Sequence, residues 1–538
     1  MNRFLVILLL IFSIVTSFFF FMSWVQLPEG HRYIYPLDDV YIHLSLARNF
    51  AEHGVWSINT TGFDSASSSI LYTLLLSGLI KIFGDWEYYP LLINIFFGYL
   101  TIYAAFRYFK DFYGVAEMKW LIVLLLPFSL VYFMTLIGME HTIHQFLMVL
   151  AVYFIHKNVK NSFQKKDFII LLVIVFFNSI VRFESMFFTV SLAFALFLRK
   201  QFFKGVSVVL VGFFAIVVFG IISIQNGGYF FPNSVMIKGS FPAGDHFLAS
   251  TWQLVLDGIF LNSSFYKCLF FPFLLLFIYL IKKYKGLGSK KFLVNETLII
   301  TIVATAILHS LFASLKYRYE NYLMISILLL IIPVIVSETK GLKTQDFKLG
   351  LSKLISVCSI VVIVLVSIYR FGYHYLPLKM ASKGIKEQQV EMSRFLGKYY
   401  AGEKVVANDI GSIAYFSHVK LLDIVGLGST DIADAIVVNK HRARAEYNKN
   451  IKNYINQYVS KHDYKVAVIY PEWFPGGVPS NWIPVASWMI NEKSYGPARK
   501  GVVFYALKPE EVPILQKNLM DFDLDKNVER RFYKTQEK

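Results

Sequence analysis

Two cysteines among 538 residues, Cys268 and Cys358, are too few for a disulfide framework, and both sit inside apolar runs. No C-x-x-C pair and no Cys/His spacing of a structural zinc site occurs. Charge is scarce as well. Only 17% of the residues are Asp, Glu, Lys or Arg, where soluble domains carry about 25%. With 56% hydrophobic residues and a mean hydropathy of +0.52, that shortfall excludes an ordinary water-soluble domain. A Walker-type phosphate loop and a dinucleotide fingerprint are also missing, which argues against direct use of ATP or a nucleotide-linked substrate. The sequence has no matching halves and few ionisable residues deep in apolar runs (His309 is one), whereas a transporter favours both.

What is present is grease and aromatic rings. Fifty-two Phe and 33 Tyr suit lipid-facing and interfacial positions. The run 3–25 has the length to cross about 30 Å of hydrocarbon, and Met22-Ser23-Trp24-Val25-Gln26 makes a poor cleavage site, so it reads as an uncleaved signal anchor. Further runs lie near 90–109, 119–137, 142–156, 168–181, 184–198, 205–225, 263–281, 294–315, 321–337 and 351–370. The run 67–84 is ambiguous, because it opens on Ser67-Ser68-Ser69 and contains Lys81. Net charge of +17 decides its placement. Basic clusters occur at Arg107/Lys110/Lys119, Lys157/Lys160/Lys165/Lys166, Arg199/Lys200/Lys204, Lys282/Lys283/Lys285/Lys290/Lys291 and Lys340/Lys343/Lys348. They all fall on the inner side only if 67–84 lies along the outer interface. The charge excess then belongs to cytoplasmic loops and not to a nucleic-acid surface. The expected fold is an α-helical polytopic membrane protein with about eleven spans and interfacial juxtamembrane helices. Its N-terminus is expected in the cytoplasm and everything after residue 371 outside.

This plan gathers the unusual polar sequence on the outer face: Asp38-Asp39, Gly138-Met139-Glu140-His141, Arg182-Phe183-Glu184, Pro232-Asn233-Ser234 with Lys238, and Lys316-Tyr317-Arg318-Tyr319-Glu320. Near residue 380 the composition shifts. Segments 404–408, 419–425 and 465–470 read as short buried strands, 383–400 and 440–465 as helices, and 380–538 as a soluble α/β domain after a transmembrane portion 1–375.

Each polar cluster has a structural and a chemical reading. Asp38 opens an amphipathic stretch and suits a helix N-terminus; equally, an acid pair at the membrane surface suits a general base. Glu140 and His141 sit in what is either a simple hairpin turn or a site wall. Arg182 and Glu184 lie between two short apolar runs, as a mutual pair or as functional charges near the bilayer boundary. Lys238 is a point charge suited to phosphate. Tyr317 and Arg318 offer a ring and a cation for sugar and phosphate, or an aromatic-belt anchor. Trp473, Trp482 and Trp488 are either sugar-stacking rings or core. No cofactor is required by the spacing; a divalent cation, Mg²⁺ or Mn²⁺, would fall on Asp38, Asp39 and Glu140.

At Pro36-Leu37-Asp38-Asp39-Val40-Tyr41-Ile42-His43 and Ala47-Arg48-Asn49-Phe50 the chain resembles the GT-C superfamily of integral-membrane glycosyltransferases. The resemblance continues through Gly138-Met139-Glu140, Arg182-Phe183-Glu184, Pro232-Asn233-Ser234 and Arg318-Tyr319. It reaches Asn408-Asp409-Ile410-Gly411-Ser412 and Leu422-Asp423-Ile424-Val425-Gly426-Leu427. The motif order is nearest the bacterial terminal arabinofuranosyltransferase-like branch, with Phe183 where relatives often carry proline and Ser234 where many carry threonine. The resemblance implies inverting transfer of a sugar from a polyprenyl-phosphate carrier to a glycan, lipid or protein acceptor outside the cytoplasmic membrane of a bacterium. It places the base on Asp38, with Asp39 as neighbour or alternative. It puts Glu140, Arg182 and Glu184 at the site, with Lys238, Arg318, His141, Tyr317 and Asn233 as donor-binding candidates. The alternatives are an O-antigen-type polysaccharide polymerase or ligase and a polyprenyl-lipid transporter.

Overall fold

The structure, a computed structural model, describes residues 3–28, 32–240, 247–286, 289–340, 350–491 and 495–534. The first apolar run forms α1 (Arg3–Trp24); the amphipathic α2 (Asp39–His53) and the shorter α3 (Ile70–Phe83) precede α4 (Tyr89–Phe112). The run 119–137 makes two helices, α5 (Val115–Ser129) and α6 (Val131–Leu136). Leu130 between them adopts a left-handed φ of 53°, just after Pro127, whose ring removes a helical hydrogen bond. Then follow α7 (His141–Lys160), α8 (Lys165–Val181), α9 (Ser185–Leu198), α10 (Phe202–Gln225) and the short α11 (Asn233–Lys238). The helical portion continues with α12 (Phe247–Leu261), α13 (Ser263–Tyr284), α14 (Ser289–Asn295) and α15 (Thr297–Phe312). A 3₁₀ turn (Tyr317–Glu320) leads to α16 (Asn321–Thr339) and α17 (Leu351–Ile385).

The chain is a multi-pass membrane protein. Among the described residues six helical segments are long and apolar enough to cross a bilayer: Arg3–Trp24, Tyr89–Phe112, Phe202–Gln225, Ser263–Tyr284, Tyr317–Thr339 and Leu351–Tyr399. The other apolar runs of the expected eleven also form helices, but these are broken at Leu130, interrupted by polar groups, or only 14 to 17 residues long.

The bundle has two chemically distinct ends. At one, Arg107 pairs with Asp111 at 2.8 Å, Lys157 with Asp167 at 2.7 Å and Lys283 with Glu296 at 2.5 Å, while Arg199 donates to the Val294 carbonyl. Lys343 and Lys348 lie outside the described residues. At the other end stand Asp39, Glu140, Arg182 and Arg318. Both termini of α3 reach this second end. Ser68 at its start contacts Arg182 and Glu140, and Asp85 just past its finish accepts a 2.7 Å bond from the Tyr415 hydroxyl. α3 therefore lies along the site end and does not traverse the bundle.

A tight turn closes α6 onto α7 here. Gly138 has φ +74°, and a side chain on it would meet the Tyr35 ring 2.5 Å from its Cβ; its carbonyl accepts from the buried Tyr72 hydroxyl at 2.7 Å. Gly138→Ala is expected to cost about 1–3 kcal/mol through strain and overpacking, read as a fall in the unfolding midpoint of the detergent-solubilised protein.

α17 does not end at the composition shift near 380. It runs through a π-helical turn, Lys386–Val390, into α18 (Glu391–Tyr399), so residues 375–380 are continuous helix. The rest of the C-terminal unit is β1 (Lys404–Ala407), α19 (Gly411–Phe416), β2 (Lys420–Asp423), α20 (Thr430–Asn439), α21 (Arg444–Lys461), β3 (Val466–Ile469), β4 (Ile483–Ile490), β5 (Gly501–Ala506), α22 (Glu511–Asp521) and β6 (Val528–Phe532). Sheet order is β2-β1-β3-β5-β4-β6. The three strands read from the sequence form its parallel half, with Val405 opposite both Leu421 and Val466; β4, β5 and β6 add an antiparallel half. Trp488 and Trp482 are buried on opposite faces of this sheet, so they are core; Trp473 is half-exposed against Tyr470. One apolar cluster joins Phe395, Trp488 and Phe504 under the sheet to Ile410 and Ile413 of the α19 region and to Ile42 and Leu46 of α2.

Candidate functional site

A cavity of about 430 Å³ opens where α2, the α8–α9 turn, α11 and the 3₁₀ turn meet. Its walls are mostly apolar, among them Ile42, Met139, Phe187, Phe231 and Phe312, and its charged lining is Asp39, Arg182, Glu184, Lys238 and Arg318. These five come from four separate stretches of chain.

Asp39 opens α2 and points into the cavity. Its carboxylate accepts a short charged hydrogen bond from Arg318. Burial alone would raise its pKa, but Arg318 and Lys238 outweigh that and bring it down to about 2. Arg318 is presented by a strained backbone: the preceding Tyr317 has φ +60°, which turns its ring away from the cavity onto Phe133 and His374. Glu320, at the other end of the turn, is held by Arg370 of α17. Lys238 ends α11 and is exposed, with no ion pair among the described residues.

Arg182 is the most heavily tied charge. It bonds the fully buried Glu140, binds Glu184 through two nitrogens (2.5 and 3.1 Å), and lies 5.2 Å over the Tyr319 ring. Arg318 also lies 5.2 Å over that ring, so Tyr319 offers its π-system to both guanidinium groups. His43 approaches the second oxygen of Glu140 at 3.6 Å.

Asp38 stands elsewhere. Its side chain does not line the cavity but turns toward the C-terminal unit, accepting from the Gly411 amide at 2.5 Å, the Ser412 amide at 2.8 Å and the Ser412 hydroxyl at 2.6 Å. Of the acid pair expected at the site, Asp39 lines the cavity and Asp38 does not. Asp38 does sit at the N-terminus of α2, but its side chain makes no bond to that helix and instead satisfies orphan amides at the start of α19. Asp409 completes this junction, accepting from Gln389 at 2.7 Å. Burial and the neighbouring Asp38 push its carboxyl well above the usual range, and burial also raises that of Asp38.

Of the other expected donor-binding residues, three lie near the cavity without lining it. Asn233 is buried and donates to the Leu427 carbonyl at 3.4 Å. His141 packs edge-on against Tyr319, and Tyr317 faces His374. Glu140 is one layer behind the lining, as partner of Arg182. Among the described residues no three His, Cys, Asp or Glu side chains form a metal-holding group; of the three expected metal ligands, Asp38 faces α19, Asp39 bonds Arg318 and Glu140 bonds Arg182. Ser68, His43 and Leu427 join the site without being singled out as ligands. Leu427 was visible only as part of a glycine-flanked motif, and it is the C-terminal unit's contribution to the cavity wall.

Comparison with solved structures bears on this arrangement. ArnT from Cupriavidus metallidurans bound to undecaprenyl phosphate superposes with a TM-score of 0.50 at 13% identity, covering 93% of this chain and 98% of that one. Its apo state gives 0.51 at 12%, covering 94% and 98%. The Archaeoglobus fulgidus oligosaccharyltransferase in complex with Zn and sulfate gives 0.51 at 11%, covering 94% of this chain and 74% of that one. The fold is that of the GT-C glycosyltransferases. Residues 382–505 match a family described as a domain of unknown function, DUF8728. No curated protein matches the sequence.

Proposed function

We propose that this chain is an inverting membrane glycosyltransferase that takes a sugar from a polyprenyl-phosphate carrier and passes it to an acceptor hydroxyl of a cell-envelope glycan, lipid or protein. The reaction is placed on the outer side of a bacterial cytoplasmic membrane. The observation that carries the reading is the convergence of Asp39, Arg182, Lys238 and Arg318 on one apolar-walled cavity at the end of a bundle opposite the basic clusters. The ArnT neighbour that binds undecaprenyl phosphate supports a polyprenyl carrier.

The chemistry follows from the charges. An acceptor alcohol must lose its proton as it attacks, and Asp39, ionised at any ordinary pH, receives it. The acceptor oxygen bonds the anomeric carbon as that carbon's bond to the phosphate oxygen breaks. The phosphate leaves as a dianion, and Lys238 and Arg318 stabilise the charge that grows on it. Arg318 is engaged by Asp39; transfer of that guanidinium to the donor phosphate frees the carboxylate for the acceptor. The carrier's tail occupies the apolar wall.

The test uses the purified chain in phosphatidylcholine nanodiscs. Undecaprenyl phosphate is expected to bind and undecaprenol, which lacks the phosphate, is not. Lys238→Ala should weaken the phosphate lipid about tenfold through loss of one charge-assisted contact. Equal binding of the phosphate lipid and the free alcohol would overturn the assignment of these cations.

A further inference from the structure

We infer that the C-terminal unit completes the active centre, with Gly411 and Ser412 acting as positioning residues that clamp Asp38 and so aim the adjacent Asp39 into the cavity. This rests on the reading of Asp39 as the base. The two acids are neighbours at the start of α2, yet they serve opposite partners: Asp38 holds three donors of α19, and Asp39 holds Arg318. A first helical turn fixed at one carboxylate has little freedom left at the next.

The approach of the two parts is as close as backbone allows. A Cβ on Gly411 would collide with the Asp38 carbonyl oxygen and lie 2.8 Å from its carbonyl carbon and 2.7 Å from its carboxylate, so no side chain fits there without separating α19 from α2. The contact is not isolated. Ser45 of α2 donates to the Ala414 carbonyl at 3.2 Å, and Ile42 and Leu46 share an apolar cluster with Ile410 and Ile413. Behind Asp38, the buried Gln389 and Tyr470 and the partly buried Asp409 form a polar layer that belongs wholly to the C-terminal side, with Gln389 donating to Asp409 at 2.7 Å and contacting the Tyr470 hydroxyl at 2.8 Å. That layer anchors the clamp to the sheet and to the long helix leaving the membrane.

The test is made on the full chain in nanodiscs, with two readouts. Amide exchange comes first. Gly411→Ala and Ser412→Ala should speed exchange across the first turn of α2 at least about tenfold while β1 and β3 stay protected, and Ser412→Thr, which keeps the hydroxyl, should restore wild-type protection. Undecaprenyl phosphate binding comes second. In the wild-type background, Asp39→Asn removes the negative charge that faces the phosphate and weakens the hold on Arg318, and is expected to tighten binding about tenfold. In a Ser412→Ala background, with Asp39 no longer aimed at Arg318, the same change should gain less than about twofold. Unchanged exchange in both single variants, or an equal gain from Asp39→Asn in both backgrounds, overturns the clamp. Absence of any gain in the wild type would count against the cavity reading itself, and the exchange data would still decide the clamp.

Discussion

Asp39→Asn is expected to lower sugar transfer by about 10²–10⁴-fold, the usual contribution of a positioned general base, while the protein stays folded and continues to bind undecaprenyl phosphate. The amide is close in shape to the carboxylate and can still accept one bond from Arg318, so the loss belongs to proton transfer and not to packing. The measurement is mass spectrometry of envelope glycans and polyprenyl-linked sugars in cells whose only copy carries the change. It should reproduce the product missing from a deletion strain, with the donor accumulating. Asp38→Asn is expected to lose less, because Asn can still accept from Ser412 but turns an N–H toward the Gly411 amide. The pH dependence follows from the same geometry. Burial raises the Asp39 pKa and its cation neighbours lower it further, leaving it near 2. The carboxylate is therefore charged throughout the ordinary range, and an acid limb in kcat/KM between pH 5 and 7 would have to come from another group. Wild-type product levels in the Asp39→Asn strain, with the mutant protein present in the membrane, would remove Asp39 from the chemistry.

The choice between Asp38 and Asp39 marks where the sequence stops being legible. Sidedness is readable, because apolar runs and lysine clusters are local features. They suffice to put Asp39, Arg182, Lys238 and Arg318 at one end of the bundle, although up to 279 residues separate contacting partners. Which of two adjacent acids faces the cavity depends on the docking of α19, 373 residues downstream, and no local pattern encodes that. Tyr317 and Asn233 lie off the cavity lining for a similar reason: each is in the expected segment, but a left-handed backbone turns one ring onto His374, and a bond to Leu427 engages the other side chain with the C-terminal unit. The parallel strands are plain apolar runs and read easily. The antiparallel half does not: β4 carries Pro484 and a register shift, and β6, Val-Glu-Arg-Arg-Phe, is a charged edge strand with no alternation to betray it. The break at Leu130 gave no signal beyond the nearby Pro127, which helices near a membrane commonly accommodate.

Arg182→Met is expected to destabilise the protein by about 3–5 kcal/mol, the cost of stranding a buried carboxylate when its partner is removed. Glu140 is fully buried, and one of its oxygens has no hydrogen-bond partner besides the distant His43. Without the guanidinium it must either stay charged in an apolar wall or take up a proton, and both cost folding free energy. Arg182→Lys should not rescue, because an ammonium cannot bond Glu140 and Glu184 together while lying flat over the Tyr319 ring. The double change Arg182→Met with Glu140→Gln removes the stranded charge and should recover a substantial part of the stability without recovering activity. Unfolding midpoints in a single detergent, read beside undecaprenyl phosphate binding, separate the two effects. Lys238→Ala is the control: the residue is exposed and carries no ion pair among the described residues, so its midpoint should stay where it is while lipid binding falls. An unaltered midpoint for Arg182→Met would mean that Glu140 finds solvent or another cation in the folded protein, and the buried triad would lose its structural role.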